Sequence, residues 1–321
     1  MSNTFTEKYH LFTGEKLNGF ELILRLSNSV LDDILPTVVF FASYSFLIFL
    51  LDRIWKIPVS IPDNNEAIAT ILLVFNIGLP ALLVFRINTA HERFWEARKL
   101  WGKLVNAVRN LTRDICVVMQ ERSQKNRREK EDILLLIVAF AMAMKLHLRG
   151  EQINDELLQF MSKNRYFQLK HCSDHPPLQI ALWIGEYLQL QYNNNYIHVH
   201  QVVELHQLVD TLIDILGGCE RISKTPQPVI YTLMLKKLVI VYCLLLPFAI
   251  IDDCHGFIIV VVTFTSVVLF GIEQIGSQLE HPFAHNVNAL PLDLICNTIS
   301  NNVQELISQL NEDRGQRAQR L

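Results

Sequence analysis

Three histidines, His198, His200 and His206, lie close together in the chain and raise the question of a metal site. Spacings of two and six put them on different faces of a helix, whereas a helical zinc pair needs ligands at i and i+4. They are therefore read as polar-face residues, and no metal ligand is assigned. A second set, His91, Glu92 and Glu96, has the residue types of an acid–base centre. No nucleophile elbow, phosphate loop or metal motif accompanies it, so the chain is expected not to be an enzyme and no catalytic residue is named. A solvated helix face explains the same charges, with Glu92 and Glu96 repelling and Glu96 and Lys99 attracting. Trp95 and Trp101 are read as packing residues. The six cysteines (Cys116, Cys172, Cys219, Cys243, Cys254 and Cys296) include no CxxC pair. Several fall in apolar segments, where a reduced thiol behaves as a small hydrophobe. Neither a disulfide framework nor a cofactor is indicated.

The elements that carry these residues alternate between two kinds. Of 321 residues, 50% are hydrophobic and mean hydropathy is +0.22, high for a water-soluble chain. The average hides a split into apolar and charged blocks. A net charge of −3 suggests no nucleic-acid partner.

Four segments approach membrane-crossing length. Residues 34–51 and 67–85 carry no charge over 18 and 19 positions, and 255–272 carries one acid-free, base-free run of 17 up to Ile272 after His255. Residues 238–251 are shorter, and reach spanning length if 229–235 extend them with Lys236 and Lys237 near the interface. A hydrocarbon core of roughly 30 Å takes about 20 helical residues. The expected spans are 34–54, 67–88, 229–251 and 255–273, paired as two hairpins within a single domain covering 1–321. The N-terminus lacks the order of a secretory signal. Arg86, Arg93, Arg98, Lys99, Lys103, Arg109 and Arg113 follow the second span, whereas the loop 52–66 holds only Arg53 and Lys56 among its basic residues. The positive-inside rule then puts both termini and the large insert, 89–225, in the cytoplasm.

The insert reads as helical. Apolar residues recur at three- and four-residue steps over 87–120, and 130–148 is apolar enough to mimic a short span. Its length and the charges at Glu131, Asp132 and Lys145 favour a buried cytoplasmic helix. A further helix is expected from about 177 after "CSDHPP", and an amphipathic one over 196–216 stopping at Gly217–Gly218. A last helix over 290–311 is followed by a tail expected to fray.

Arg86 begins a charged segment directly after the second span, with no break between them. A helix that leaves a membrane intact offers one continuous face to both environments. On one face, Ile77, Ala81 and Phe85 stand at four-residue steps. Periodicity alone favours ordinary bundle or lipid packing over a pore lining, since any transmembrane helix carries such stripes. Asn76 and Pro80 interrupt the run, and the proline removes a backbone hydrogen bond.

The stretch "FRINTAHERFWEARKLWGKLVNAVRNLTRD" resembles the prokaryotic and plant branch of the bestrophins. "GGCERISKTPQPVIY" (217–231), "FGIEQIGSQLEHPF" (270–283) and "LPLDLICNTI" (290–299) follow in the family's order. The resemblance covers nearly the whole chain from about residue 20. It implies an all-α membrane protein with four transmembrane helices per subunit, assembled as a homopentamer around a central ion pore in a lipid bilayer. It places a hydrophobic neck at Ile77, Ala81 and Phe85, and a cytosolic constriction at His200, with Ile197 the alternative. Five imidazoles at His200 would make conductance sensitive to pH.

Two departures stand out. Ala81 replaces a bulky neck side chain and should widen that ring. "HPFAHNVNALPLD" lacks the acidic run of the animal calcium clasp, so gating of that kind is not expected. An uncharged neck works through dewetting and the cost of shedding hydration, which leaves sign selectivity to charges elsewhere. Asp63 and Glu66 at the outer mouth would attract cations, and Arg86 and Arg93 below the neck would favour anions. The family lean is toward chloride or other weakly hydrated anions. A monovalent-cation channel of the same fold and a non-conducting membrane scaffold stand as alternatives. The membrane expected is a bacterial or cyanobacterial inner membrane, with a chloroplast membrane also open.

Overall fold

The computed structural model describes residues 30–54, 66–172, 174–286 and 288–319, with the backbone alone at 66–69, 71, 72, 172, 253, 255 and 313–319. Every regular element among the described residues is helical. The order is α1 (Asp32–Arg53), α2 (Glu66–Val118), α3 (Gln124–Arg149), α4 (Lys163–Cys172), α5 (Pro176–Asn193), α6 (Val199–Lys224), α7 (Val229–Cys254), α8 (Ile258–Glu280) and α9 (Leu292–Gln319). Short 3-10 turns lie at Asp155–Phe160 and His255–Phe257.

The chain divides into two compact units. One holds the residues up to Phe94, Pro226–Pro282 and Asn286–Ala289; the other holds Trp95–Thr225, Phe283–His285 and Leu290 onward. α2 contributes to both, because it runs for 53 residues without interruption, about 80 Å of helix at 1.5 Å per residue.

In the first unit, α1, α7, α8 and the first part of α2 are long and apolar enough to cross a membrane. Their shared apolar core is narrow: Ile34, Val38, Phe41 and Ile48 of α1 meet Leu79 and Leu83 of α2, Val239 and Cys243 of α7, and Val262 and Phe270 of α8. Phe41 stacks on Phe270 at 5.6 Å between ring centres. The remaining faces carry exposed apolar side chains, among them Leu35, Val39, Phe40, Ile230, Met234, Val260 and Phe264. Such an inverted distribution suits helices surrounded by hydrocarbon rather than water.

The second unit is built the ordinary way. α3 lies at its centre, and from Ile133 to Leu146 every residue but Leu135 is buried. α5, α6 and α9 pack around it. Each fully buried Leu, Ile or Phe contributes about 1.5–3 kcal/mol. Local signals fix its ends: Ser123 caps the first turn by accepting from the Asn126 N–H at 3.2 Å, and Gly150 closes the last in the left-handed region at φ 68°. Lys145, at the edge of this core, donates to Asp293 Oδ1 at 2.9 Å and to Glu156 Oε2 at 3.3 Å, and Arg149 shares Asp293 at 3.1 Å. Burial pushes the Asp293 carboxyl up, but the hydrogen bonds and charges of Lys145 and Arg149 outweigh it and hold it below the usual carboxylate range. Cys219 and Cys296 are buried, and burial pushes both thiols up to about 12.

Two sequence expectations need correcting. The helix expected to stop at Gly217–Gly218 continues to Lys224 and gives way just before Pro226. A Cβ on Gly218 would come within 3.1 Å of the Leu100 side chain, so this glycine serves close helix contact rather than termination. The tail expected to fray is helical through Gln319, in keeping with its Glu, Arg, Gln and Ala content.

Candidate functional site: two faces of the second helix

The first half of α2 has two faces with opposite fates. Leu79, Leu83, Arg86 and Ala90, at steps of four, three and four, are all buried at 3% exposure or less. Directly opposite, Ile77 is 69% exposed and Phe85 65%, with Ala81 between them also exposed. The three residues expected to line a neck thus share an uncovered apolar strip roughly 12 Å long. Thr89, one turn further on, returns its hydroxyl to the Phe85 carbonyl at 3.0 Å. Pro80 sits within the helix without ending it. Its backbone cannot donate to the Asn76 carbonyl, and the Asn76 side chain accepts instead from the Tyr242 hydroxyl at 2.8 Å.

Arg86 departs from its expected place. Rather than projecting into a vestibule, it is 1% exposed and donates to Glu273 Oε1 of α8 at 2.6 Å, with Glu280 Oε2 4.0 Å away. The cause is local: Arg86 falls on the buried stripe, and its side chain lies alongside Gly276, with Nε 3.5 Å from where a Cβ would stand. Glu273 also faces Lys236 at 3.5 Å, and Glu280 accepts from the Gln227 N–H at 2.8 Å. Neutralised in this way, Arg86 contributes little positive potential to any nearby ion path. Arg93 is half-buried. Asp63 lies outside the described residues, and Glu66 opens α2 with only its backbone described.

The two candidates for a second constriction part ways. Ile197 is buried at 4% exposure, whereas His200 is exposed in the first turn of α6. Among the other histidines of that group, His198 has a structural task. It is the N-cap of α6 in a reciprocal box, its own N–H donating to Gln201 Oε1 at 2.9 Å.

Sequence reading missed the partners of Arg86. A signal existed, since Glu273 follows an otherwise apolar span, and an acid there calls for a cation. Also missed was a knot of Asp33 on α1 with Gln274 and Gln278 on α8, at 2.6 and 3.3 Å. In the second unit, His147 of α3, His175 just before α5 and Glu220 of α6 converge. Burial pushes the Glu220 carboxyl up, but hydrogen bonds from His147, Lys224 and His175 outweigh it and hold it at about 2.

Comparison with known proteins gives these features a family. Residues 12–305 match the family described as bacterial and fungal bestrophin proteins. A voltage-dependent anion channel-forming protein of Nostoc sp. PCC 7120 is 46% identical over 296 residues, covering 92% of this chain and 94% of its own. A protein of the same name from Synechocystis sp. PCC 6803 is 43% identical, covering 89% and 91%. Among solved structures, a bacterial bestrophin homologue from Klebsiella pneumoniae superposes with a TM-score of 0.75 at 28% identity, over 86% of this chain and 98% of that one. With residues 12–305 matched by the family model, and with helices as the regular elements and four of membrane-crossing length among its described residues, the chain belongs to the bestrophin family.

Proposed function

We propose that the chain is the pore-forming subunit of a homopentameric anion channel, with Ile77, Ala81 and Phe85 forming its neck. The observation that carries this reading is the uncovered strip on α2: three apolar residues stand exposed on a membrane-length helix whose opposite face is fully packed. A ring of five such strips would close a dry constriction, passable to ions that shed water easily. The names of the Nostoc and Synechocystis relatives support anion conduction. With the basic segment after the second span on the inner side, both termini and the second unit face the cytoplasm of the cell membrane. His200, exposed where Ile197 is covered, is then the residue of choice for a cytosolic constriction.

One observation favours a second reading. Arg86, the cation nearest the neck, is buried against Glu273 and so withdrawn from the ion path. A monovalent-cation channel of the same build would follow if the acids at Asp63 and Glu66 dominate the outer mouth.

The deciding experiment is the reversal potential of the purified protein in a planar bilayer under a tenfold KCl gradient. Reversal near the chloride potential is the result expected, and reversal near the potassium potential would replace it with the cation reading. Ile77→Ala and Phe85→Ala should raise conductance. Absence of current in wild type and in both variants, from folded oligomers, would reject the channel.

A further inference from the structure

Away from the neck, three side chains from distant parts of the second unit meet at one point. His147 lies in the last turn of α3, His175 immediately precedes α5, and Glu220 lies in the last turns of α6. His147 Nε2 is 2.6 Å from Glu220 Oε1, and His175 Nε2 is 3.0 Å from the same oxygen. The two imidazole rings are 4.4 Å apart between centres. Lys224 Nζ crowds that oxygen further, at 3.1 Å. Three nitrogen donors on one carboxylate oxygen exceed its two lone pairs. Only one of the three, Lys224, is a flexible and mostly exposed side chain, at 68%.

We propose that His147, His175 and Glu220 form a site for a borderline divalent transition-metal ion of the zinc class, which ties α3, α5 and α6 together. The ligand atoms all lie within 4.8 Å of one another. Tetrahedral coordination at about 2.0–2.2 Å sets donor atoms about 3.3–3.6 Å apart, so the seat opens when the Glu220 oxygen draws back by a few tenths of an ångström from the two imidazole nitrogens, now 2.6 and 3.0 Å away. Two imidazole nitrogens and one carboxylate are a donor set that suits zinc and its neighbours, and too few hard oxygens for calcium or magnesium. The three side chains are 19–32% exposed, neither sealed in the core nor loose on the surface. A cleft of about 620 Å³, lined by His147, Gly150, His171, Asp174 and Pro176 among others, opens beside the first of them. It gives an ion a way in from the His147 side, and the three ligands leave a fourth position for water. Lys224 holds the carboxylate in the metal-free protein and is displaced when the ion enters.

The test uses the full chain, purified, stripped with a chelator and desalted, then titrated with Zn²⁺ alone against a chromogenic competitor. One ion per protomer is expected. His175→Ala and Glu220→Gln should each weaken binding at least about tenfold, while Lys224→Ala tightens it. His175 stands in a loop before α5, so its replacement leaves the helices intact even if His147→Ala does not fold. Alanine at His198, His200 and His206 together should leave the stoichiometry unchanged. The proposal is overturned if wild type binds no Zn²⁺, or if His175→Ala and Glu220→Gln bind it as wild type does. Channel current is not part of the readout, so failure here leaves the pore reading untouched, and the reverse holds too.

Discussion

Residues 133–146 on α3 and 258–272 on α8 are apolar runs of similar length, yet they meet opposite surroundings. On α3 the chain covers its own apolar surface on all sides: Ile133, Leu134, Leu136, Ile137, Phe140 and Met144 are each exposed by 1% or less. Within 258–272 on α8 only the stripe Ile258, Val262, Ser266, Leu269 and Phe270 is covered, while Val260 and Phe264 remain 63% and 69% exposed. Hydrophobicity of a segment therefore says that it avoids water, and says nothing of what replaces water. For α3 the replacement is protein. For α8 the described residues of the chain supply no cover for that face.

Substitutions can sharpen that contrast. The largest loss is expected from Phe140→Ala, about 4 kcal/mol from transfer and cavity terms, read as a lowered thermal unfolding midpoint of the solubilised protein. Glu273→Gln comes next, at about 3 kcal/mol, because it strands Arg86 where water cannot reach it; Glu273→Asp should recover part of the loss. Asp293→Asn should cost about 2 kcal/mol through the bonds it makes to Lys145 and Arg149. That loss carries a pH signature. A carboxyl held low in the folded state adds stability above its unfolded value and surrenders it as acidity increases. Wild type should therefore converge on the variant below about pH 4, in unfolding midpoints measured across pH. Phe264→Ala should change the midpoint by less than about 0.5 kcal/mol in detergent. A cost near that of Phe140→Ala would instead reveal a neighbouring subunit packed on α8 and break the comparison.

The spans were legible because bilayer thickness dictates a run of uncharged residues, and such a run is visible without any partner. The unbroken α2 was legible for the related reason that no proline or glycine pair follows Phe85. The buried setting of 130–148 could also be read, since Lys145 and Asp132 sit where a lipid-facing helix could not keep them. Glycine is harder: Gly217 and Gly218 look like a stop, yet Gly218 admits Leu100 and the helix goes on. Charge pairing is harder still. Arg86 looked like a vestibule charge because its partner lies 187 residues further on. The exposed strip of Ile77, Ala81 and Phe85 was readable as a stripe, whereas its exposure depends on where Leu79 and Leu83 find their cover.

That separation of Arg86 from Glu273 also has a history in time. A ribosome adding roughly 5–20 residues per second takes on the order of 10–40 s to reach Glu273 after Arg86 has emerged. Throughout that interval the first hairpin is made and its counterion is not. Until then a guanidinium on an apolar helix is best served by keeping its charge in water with its stem along the helix. Only when the second hairpin enters can the arginine be drawn inward against α8. The order of synthesis therefore makes this ion pair a late link between α2 and α8, one that cannot form before the chain has reached Glu273.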